Sequence, residues 1–171
     1  MNISDATALI RQPELQQQGV WADLGCGSGV FTYALSEVLR PGSTVYGIDK
    51  TLTLEREITR QQVEIIPIQA DFVTDHLPLQ QLDGLLMANS LHYVKDKKTL
   101  LQQLQQYLKP GGRFIIVEYD TDTAVPVWVP YPLSFTSLTT LFHNAGYHSI
   151  IKTGNRHSVY GRADMYAALI S

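Results

Sequence analysis

A carboxylate followed by three glycines on alternate positions, Asp23-Leu24-Gly25-Cys26-Gly27-Ser28-Gly29, is the stretch of this chain best suited to hold a ligand. Glycines let a backbone close on a bound group, and the first N–H groups of a helix point outward unpaired. The residues before the turn, from Val20, read as a short buried strand. Those after it read as a helix, because Val30, Phe31, Ala34, Leu35, Val38 and Leu39 share one apolar face and Pro41-Gly42 stops it. The spacing chooses between ligands. A dinucleotide fingerprint wants its third glycine where Val30 stands, and a phosphate P-loop wants a Gly-Lys-Ser/Thr that is absent. Asp23 would repel a pyrophosphate and suits a cationic ammonium.

Other candidate groups fall at strand ends. Asp49 closes TVYGID, 20 residues beyond Gly29. It can accept from two ribose hydroxyls or cap the helix expected from Thr51 to Arg60. Asp71 and Phe72 follow VEIIPIQA, either as a ligand-binding pair or as a loop acid beside a core aromatic. Asn89, Ser90, His92 and Tyr93 come after the buried run Leu85–Ala88. Open parallel sheets take ligands outside strand carboxyl ends where strand order reverses, so these four line that space. His92 is the candidate general base, the other reading being a histidine that packs or caps a helix entry. Residues 121–133 join Pro126, Pro130 and Pro132 to Val125, Val127, Trp128, Val129 and Tyr131. A loop so apolar packs over the active face, straps the core or meets another subunit. Cys26 has no nearby histidine and reads as a small filler.

The elements that position these groups fit one domain of 171 residues. Residues 4–11 read as a helix capped by Ser4 with Ala8 and Leu9 facing inward, and a link runs to Gly19. Strands are expected from Val20 into the glycine turn, at 44–49, over 63–72, in the first part of 82–94 and, after a helix stop and a turn, within 108–120, the third at an edge because of Pro67. Asp96 opens a helix to Lys109, Ser134 caps another, and HSIIKTG (148–154) with RADMYAALIS (162–171) form an antiparallel pair around a polar turn. Net charge of -3 argues against a nucleic-acid surface, and one cysteine makes neither a disulfide nor a metal cluster. There is no secretory leader and no apolar run of membrane-spanning length, so the expected compartment is the cytoplasm.

The glycine stretch resembles the first motif of class I S-adenosylmethionine-dependent methyltransferases, and Leu108-Lys109-Pro110-Gly111-Gly112 resembles the turn before their fifth strand. With the terminal antiparallel pair, which dinucleotide folds lack, the resemblance runs from residue 20 to the C-terminus. It implies an α/β, Rossmann-like, doubly wound sheet of seven strands in the order 3-2-1-4-5-7-6, the last strand antiparallel. It implies S-adenosyl-L-methionine as cofactor, held by Asp23, Gly25, Cys26, Gly27 and Gly29 at the amino-acid end. Asp49 would hold the ribose and Asp71 and Phe72 the adenine, with Lys50 and Asn89 also among the cofactor-binding residues. The acceptor would be a small, partly apolar molecule in a pocket of His92, Tyr93, Trp128 and Tyr131, as in the ubiquinone-biosynthesis-like group.

Several subclasses drop out. No Asn-Pro-Pro-Tyr or Asp-Pro-Pro-Tyr follows the fourth strand, no Pro-Cys dipeptide exists for cytosine chemistry, and no cysteine trio exists for arsenite. Asn89 and Ser90 stand where metal-dependent catechol enzymes carry an acid, so no metal is expected. The expected state is a monomer or homodimer with no nucleic-acid or membrane partner. Two other readings remain: a non-catalytic cofactor-binding module or partner subunit, and a dinucleotide-binding oxidoreductase fragment.

Overall fold

The computed structural model describes residues 1–157 and 163–171. Its strands are β1 (Val20–Leu24), β2 (Thr44–Asp49), β3 (Glu57–Ile58), β4 (Glu64–Gln69), β5 (Leu82–Ala88), β6 (Leu108–Tyr119), β7 (Ile150–Arg156) and β8 (Met165–Ile170). They form one sheet in the order β3-β4-β2-β1-β5-β6-β8-β7. β1, β2, β4, β5 and β6 pair in parallel, whereas β8 lies antiparallel between β6 and β7.

Period-two alternation in the strands builds two cores. Ala22, Leu24, Leu85, Met87, Phe114 and Ile116 face α3 (Lys97–Gln105) and α4 (Phe135–Asn144), which contribute Leu100, Leu101, Leu104, Leu138 and Phe142. Trp21, Val45, Leu86, Ile115 and Val117 face α1 (Ile3–Ile10) and α2 (Val30–Ser36), through Leu9, Ile10, Ala34 and Leu35. Helices on both faces explain why the strands read as nearly unbroken apolar runs.

The expected seven-stranded sheet is corrected to eight strands. The added strand comes from the segment expected as a helix over 51–60. Instead of winding up, it crosses the glycine loop as an extended strap and ends in β3, which pairs antiparallel with Glu64 and Ile65. Asp49 takes the Thr51 N–H at 2.9 Å and the Thr53 hydroxyl donates to the Gly27 carbonyl at 2.7 Å, so both threonines bind outside any helix. β3 does not reach Pro67, which pairs with Gly47 of β2 on its inner side alone.

Smaller corrections follow from the same competition. Asn2, not Ser4, caps α1 by accepting the Asp5 N–H at 2.8 Å. The helix thus starts at Ile3 and buries Ala6, Thr7, Leu9 and Ile10, leaving Ala8 exposed. The helix expected to reach Lys109 ends at Gln105, and Leu108 already pairs with Leu82. The Pro110–Gly112 turn is therefore an irregularity within β6, ahead of the Gly84–Arg113 pair. The expected start of the last strand at residue 162, and part of the polar turn before it, lie outside the described residues.

Candidate functional site

The carboxyl ends of β1, β2, β4 and β5 bring the polar candidates together. At the end of β1, Asp23 is 1% exposed, and its Oδ2 accepts the Thr32 hydroxyl at 2.6 Å. Its Oδ1 is buried with no partner among the described residues. Burial, opposed by the Thr32 hydrogen bond and assisted by the nearby Asp49 charge, pushes the Asp23 carboxyl up to about 7.

The glycine loop is built by close approach. The N–H groups of Gly25 and Cys26 both donate to the Ile48 carbonyl of β2, at 2.8 and 3.0 Å. Gly25 has φ 79°, and a side chain there would come within 2.6 Å of Ser90 Cβ. Ser90 in turn donates to the Leu24 carbonyl at 2.6 Å, stitching the turn after β5 to the end of β1. Gly29 has φ 85° and lies under the strap, where a Cβ would meet Leu54 at 2.4 Å. Gly27 differs: open space lies where its side chain would be.

Asp49 holds this loop. Its Oδ2 accepts the Gly27 N–H at 2.9 Å while Oδ1 accepts that of Thr51. It caps no helix, since none follows. Lys50 and Asp71 meet in an ion pair of 2.9 Å across the ends of β2 and β4. Burial would raise the Asp71 carboxyl, but Lys50 and the Val73 N–H outweigh it and hold it below the usual range. The edge of the Phe72 ring comes within 3.4 Å of the position a Gly25 side chain would occupy. Cys26, 7% exposed, packs with Leu54 and Ile65, and burial together with the Asp23 and Asp49 charges pushes its thiol up to about 12. It is a filler and no nucleophile.

Asn89 takes the left-handed conformation, φ 55°, and its Oδ1 is buried without a partner among the described residues. It borders a cavity of about 1010 Å³ shared with His92, Tyr93, Tyr119, Val125, Trp128 and Val129. The pocket lies between the turn after β5 and the loop after β6, as the topological argument requires. The glycine loop does not line it; Asn89 and the Ser90 contact join the two regions. Tyr131 is not among these lining residues. Its backbone forms a tie: its N–H donates to the His92 carbonyl at 3.0 Å and its carbonyl accepts from Lys97 Nζ at 2.8 Å. Trp128 is 74% exposed at the pocket's rim, next to Val127 with φ 73°.

His92 is 2% exposed, in the middle of the 3-10 turn Leu91–Tyr93, with the Tyr93 ring 4.3 Å away centre to centre. Its Nδ1 lies 2.6 Å from Oε2 of Glu118, itself 1% exposed. The sequence reading missed Glu118, although a carboxylate ending the apolar run Phe114–Val117 is a usable signal, since glutamate is rarely buried without a partner. It also missed Thr32 and the strap.

Known proteins can now be set beside this geometry. A family described as a methyltransferase domain matches residues 16–156. A demethylmenaquinone methyltransferase of Lactiplantibacillus plantarum is 30% identical over 155 residues, spanning 79% of this chain and 62% of that protein. A second demethylmenaquinone methyltransferase, from a Geobacillus species, is 26% identical over 125 residues, 70% of this chain and 53% of its own. The chain thus spans less than two thirds of these relatives. Burkholderia thailandensis 1,6-didemethyltoxoflavin-N1-methyltransferase, solved with 1,6-didemethyltoxoflavin and S-adenosylhomocysteine, shares the fold with TM-score 0.73 at 19% identity, covering 98% of this chain and 76% of that one. The family match over most of the chain, on a fold and strand-end site of this kind, means that the protein belongs to the methyltransferase-domain family.

Proposed function

We propose that the protein is an S-adenosylmethionine-dependent methyltransferase acting on a small, partly apolar molecule. The observation that carries this reading is the pair of orphaned buried oxygens, Asp23 Oδ1 and Asn89 Oδ1, at the ends of adjacent strands. A buried polar atom without a partner is costly unless a ligand supplies one. Asp23 suits the cofactor's ammonium, the open space at Gly27 would admit its amino-acid end, and Asp49, at the tip of β2 beside Gly27, would take the ribose. Asp71 and Phe72 take the adenine, with Lys50 orienting Asp71.

When bound, the cofactor supplies a methyl group on a sulfonium, an excellent leaving group. The chain's task is to align the acceptor, keep water out and accept a proton where one is shed. His92 is the base, and Tyr93 and Trp128 give the pocket its apolar wall. The relatives are named as methyltransferases of demethylmenaquinone, which supports a partly apolar, quinone-like acceptor here. We read β3 as an edge addition, so that the remaining strands form the seven-stranded order 3-2-1-4-5-7-6. Among the described residues no helix is long and apolar enough to cross a membrane, and no cluster of side chains is set to hold a metal. A cytoplasmic monomer or homodimer without a nucleic-acid or membrane partner completes the proposal. Calorimetry should show binding of S-adenosylmethionine and S-adenosylhomocysteine, with NAD far weaker. Binding of NAD alone would sink it.

A further inference from the structure

β6 is apolar from Phe114 to Val117 and then buries a carboxylate, Glu118. His92 meets that carboxylate twice: its backbone N–H donates to Oε1 at 3.1 Å, and its ring Nδ1 lies 2.6 Å from Oε2. The proton between Nδ1 and Oε2 could belong to either atom. The backbone N–H aimed at Oε1 favours an ionised carboxylate. Nδ1 is therefore the donor, and Nε2 is the bare nitrogen. Because His92 borders the cavity with its Nδ1 edge turned to Glu118, Nε2 is the nitrogen left for the pocket.

Building on the methyltransferase reading, we propose that Glu118 is a positioning residue that fixes His92 with Nε2 bare towards the pocket, and that the acceptor enters neutral, carrying a hydrogen that must be shed. For a hydroxyl acceptor, the O–H proton passes to Nε2 while an oxygen lone pair forms the new bond to carbon. The carbon–sulfur bond breaks with its electron pair left on sulfur. The positive charge lost there reappears on the imidazole, beside the Glu118 carboxylate, and the proton then leaves to water. An acceptor with no proton to lose gains nothing from this arrangement.

The test uses the full chain labelled with 15N-histidine, saturated with S-adenosylhomocysteine, and two probes of similar shape: 1-naphthol and 1-methoxynaphthalene. Neutral His92 should carry its proton on Nδ1, and 1-naphthol should shift the Nε2 resonance. 1-Naphthol should bind about fivefold tighter than its methyl ether, as the loss of one hydrogen bond would give. Glu118→Gln, whose amide donates as well as accepts, should let the Nε2–H form appear and erase that preference, with S-adenosylhomocysteine affinity kept. A wild-type proton on Nε2, or no preference for 1-naphthol over its ether, overturns the proposal without needing the variant to fold. Failure to bind S-adenosylhomocysteine would strike the methyltransferase reading instead, while the tautomer still decides the role of Glu118.

Discussion

Single carboxylates set how this site responds to pH. A bound ammonium needs Asp23 ionised, yet burial pushes its carboxyl up to about 7 in the ligand-free chain. Below that pH, binding must expel a proton. Affinity for S-adenosylhomocysteine should therefore fall as pH drops below about 7, by up to tenfold per unit, and level off above it. Calorimetry at several pH values in buffers of different ionisation enthalpy reads both the trend and the proton released. Stability runs the other way. A carboxyl raised above its unfolded value gives stability that is present in acid and lost as pH rises through about 7. Asp23→Asn should thus stabilise the ligand-free fold by about 1–3 kcal/mol more at pH 8 than at pH 5, with the gain vanishing only below the ordinary carboxylate value, measured by thermal unfolding, while weakening cofactor binding at least tenfold. On the proposed reading, in which the carboxylate serves the ligand as well as the Gly27 N–H, Asp49→Ala should weaken cofactor binding by about 1.5–3 kcal/mol. Unchanged calorimetric affinity in a folded variant would leave Asp49 a purely structural tie.

Among the elements, the strap between β2 and β4 departs furthest from the expectation. Its expected form was a helix from Thr51 to Arg60 that Asp49 could cap. What decides its shape is distant in sequence: the Gly27 carbonyl takes the Thr53 hydroxyl, Tyr33 donates to Glu57, and Leu54 fills the space beside Gly29 and Gly47. Such tertiary contacts leave no local signal. Leu54→Ala should cost about 2–4 kcal/mol in chemical denaturation by opening a cavity against Cys26 and Ile65. It should also lower cofactor affinity, because the strap braces the glycine loop; a stability loss with affinity intact would separate the two. The strands were legible for the opposite reason. β1, β2, β5 and β6 are covered on both faces, so burial alone writes an apolar run into the sequence, and the glycine spacing marks the turn that follows β1.

At the scale of the whole molecule, topology placed the pocket: segments leaving β5 and β6 meet at one end of the sheet, which strand order alone predicts. The roles of individual residues there were less legible. Proline and aromatic content led to the expectation that residues 121–133 pack, whereas only Val129 and Leu133 are buried there; Tyr131 ties its backbone to His92 and Lys97 while Trp128 stands exposed at the rim. Trp128→Ala should cut methyl transfer about tenfold through a weaker acceptor wall and leave S-adenosylhomocysteine affinity nearly unchanged, as paired kinetics and calorimetry would show.

That rim position also gives the protein a built-in optical probe. The chain has two tryptophans, and they stand in opposite surroundings: Trp21 is 1% exposed beneath the sheet, and Trp128 is 74% exposed at the pocket mouth. Dissolved iodide should quench the long-wavelength emission of Trp128 and leave the blue-shifted emission of Trp21 untouched. A molecule entering the pocket would shield the first signal, whereas unfolding would expose the second. Acceptor candidates can therefore be screened by light on the unmodified protein, with loss of the fold visible in the same spectrum.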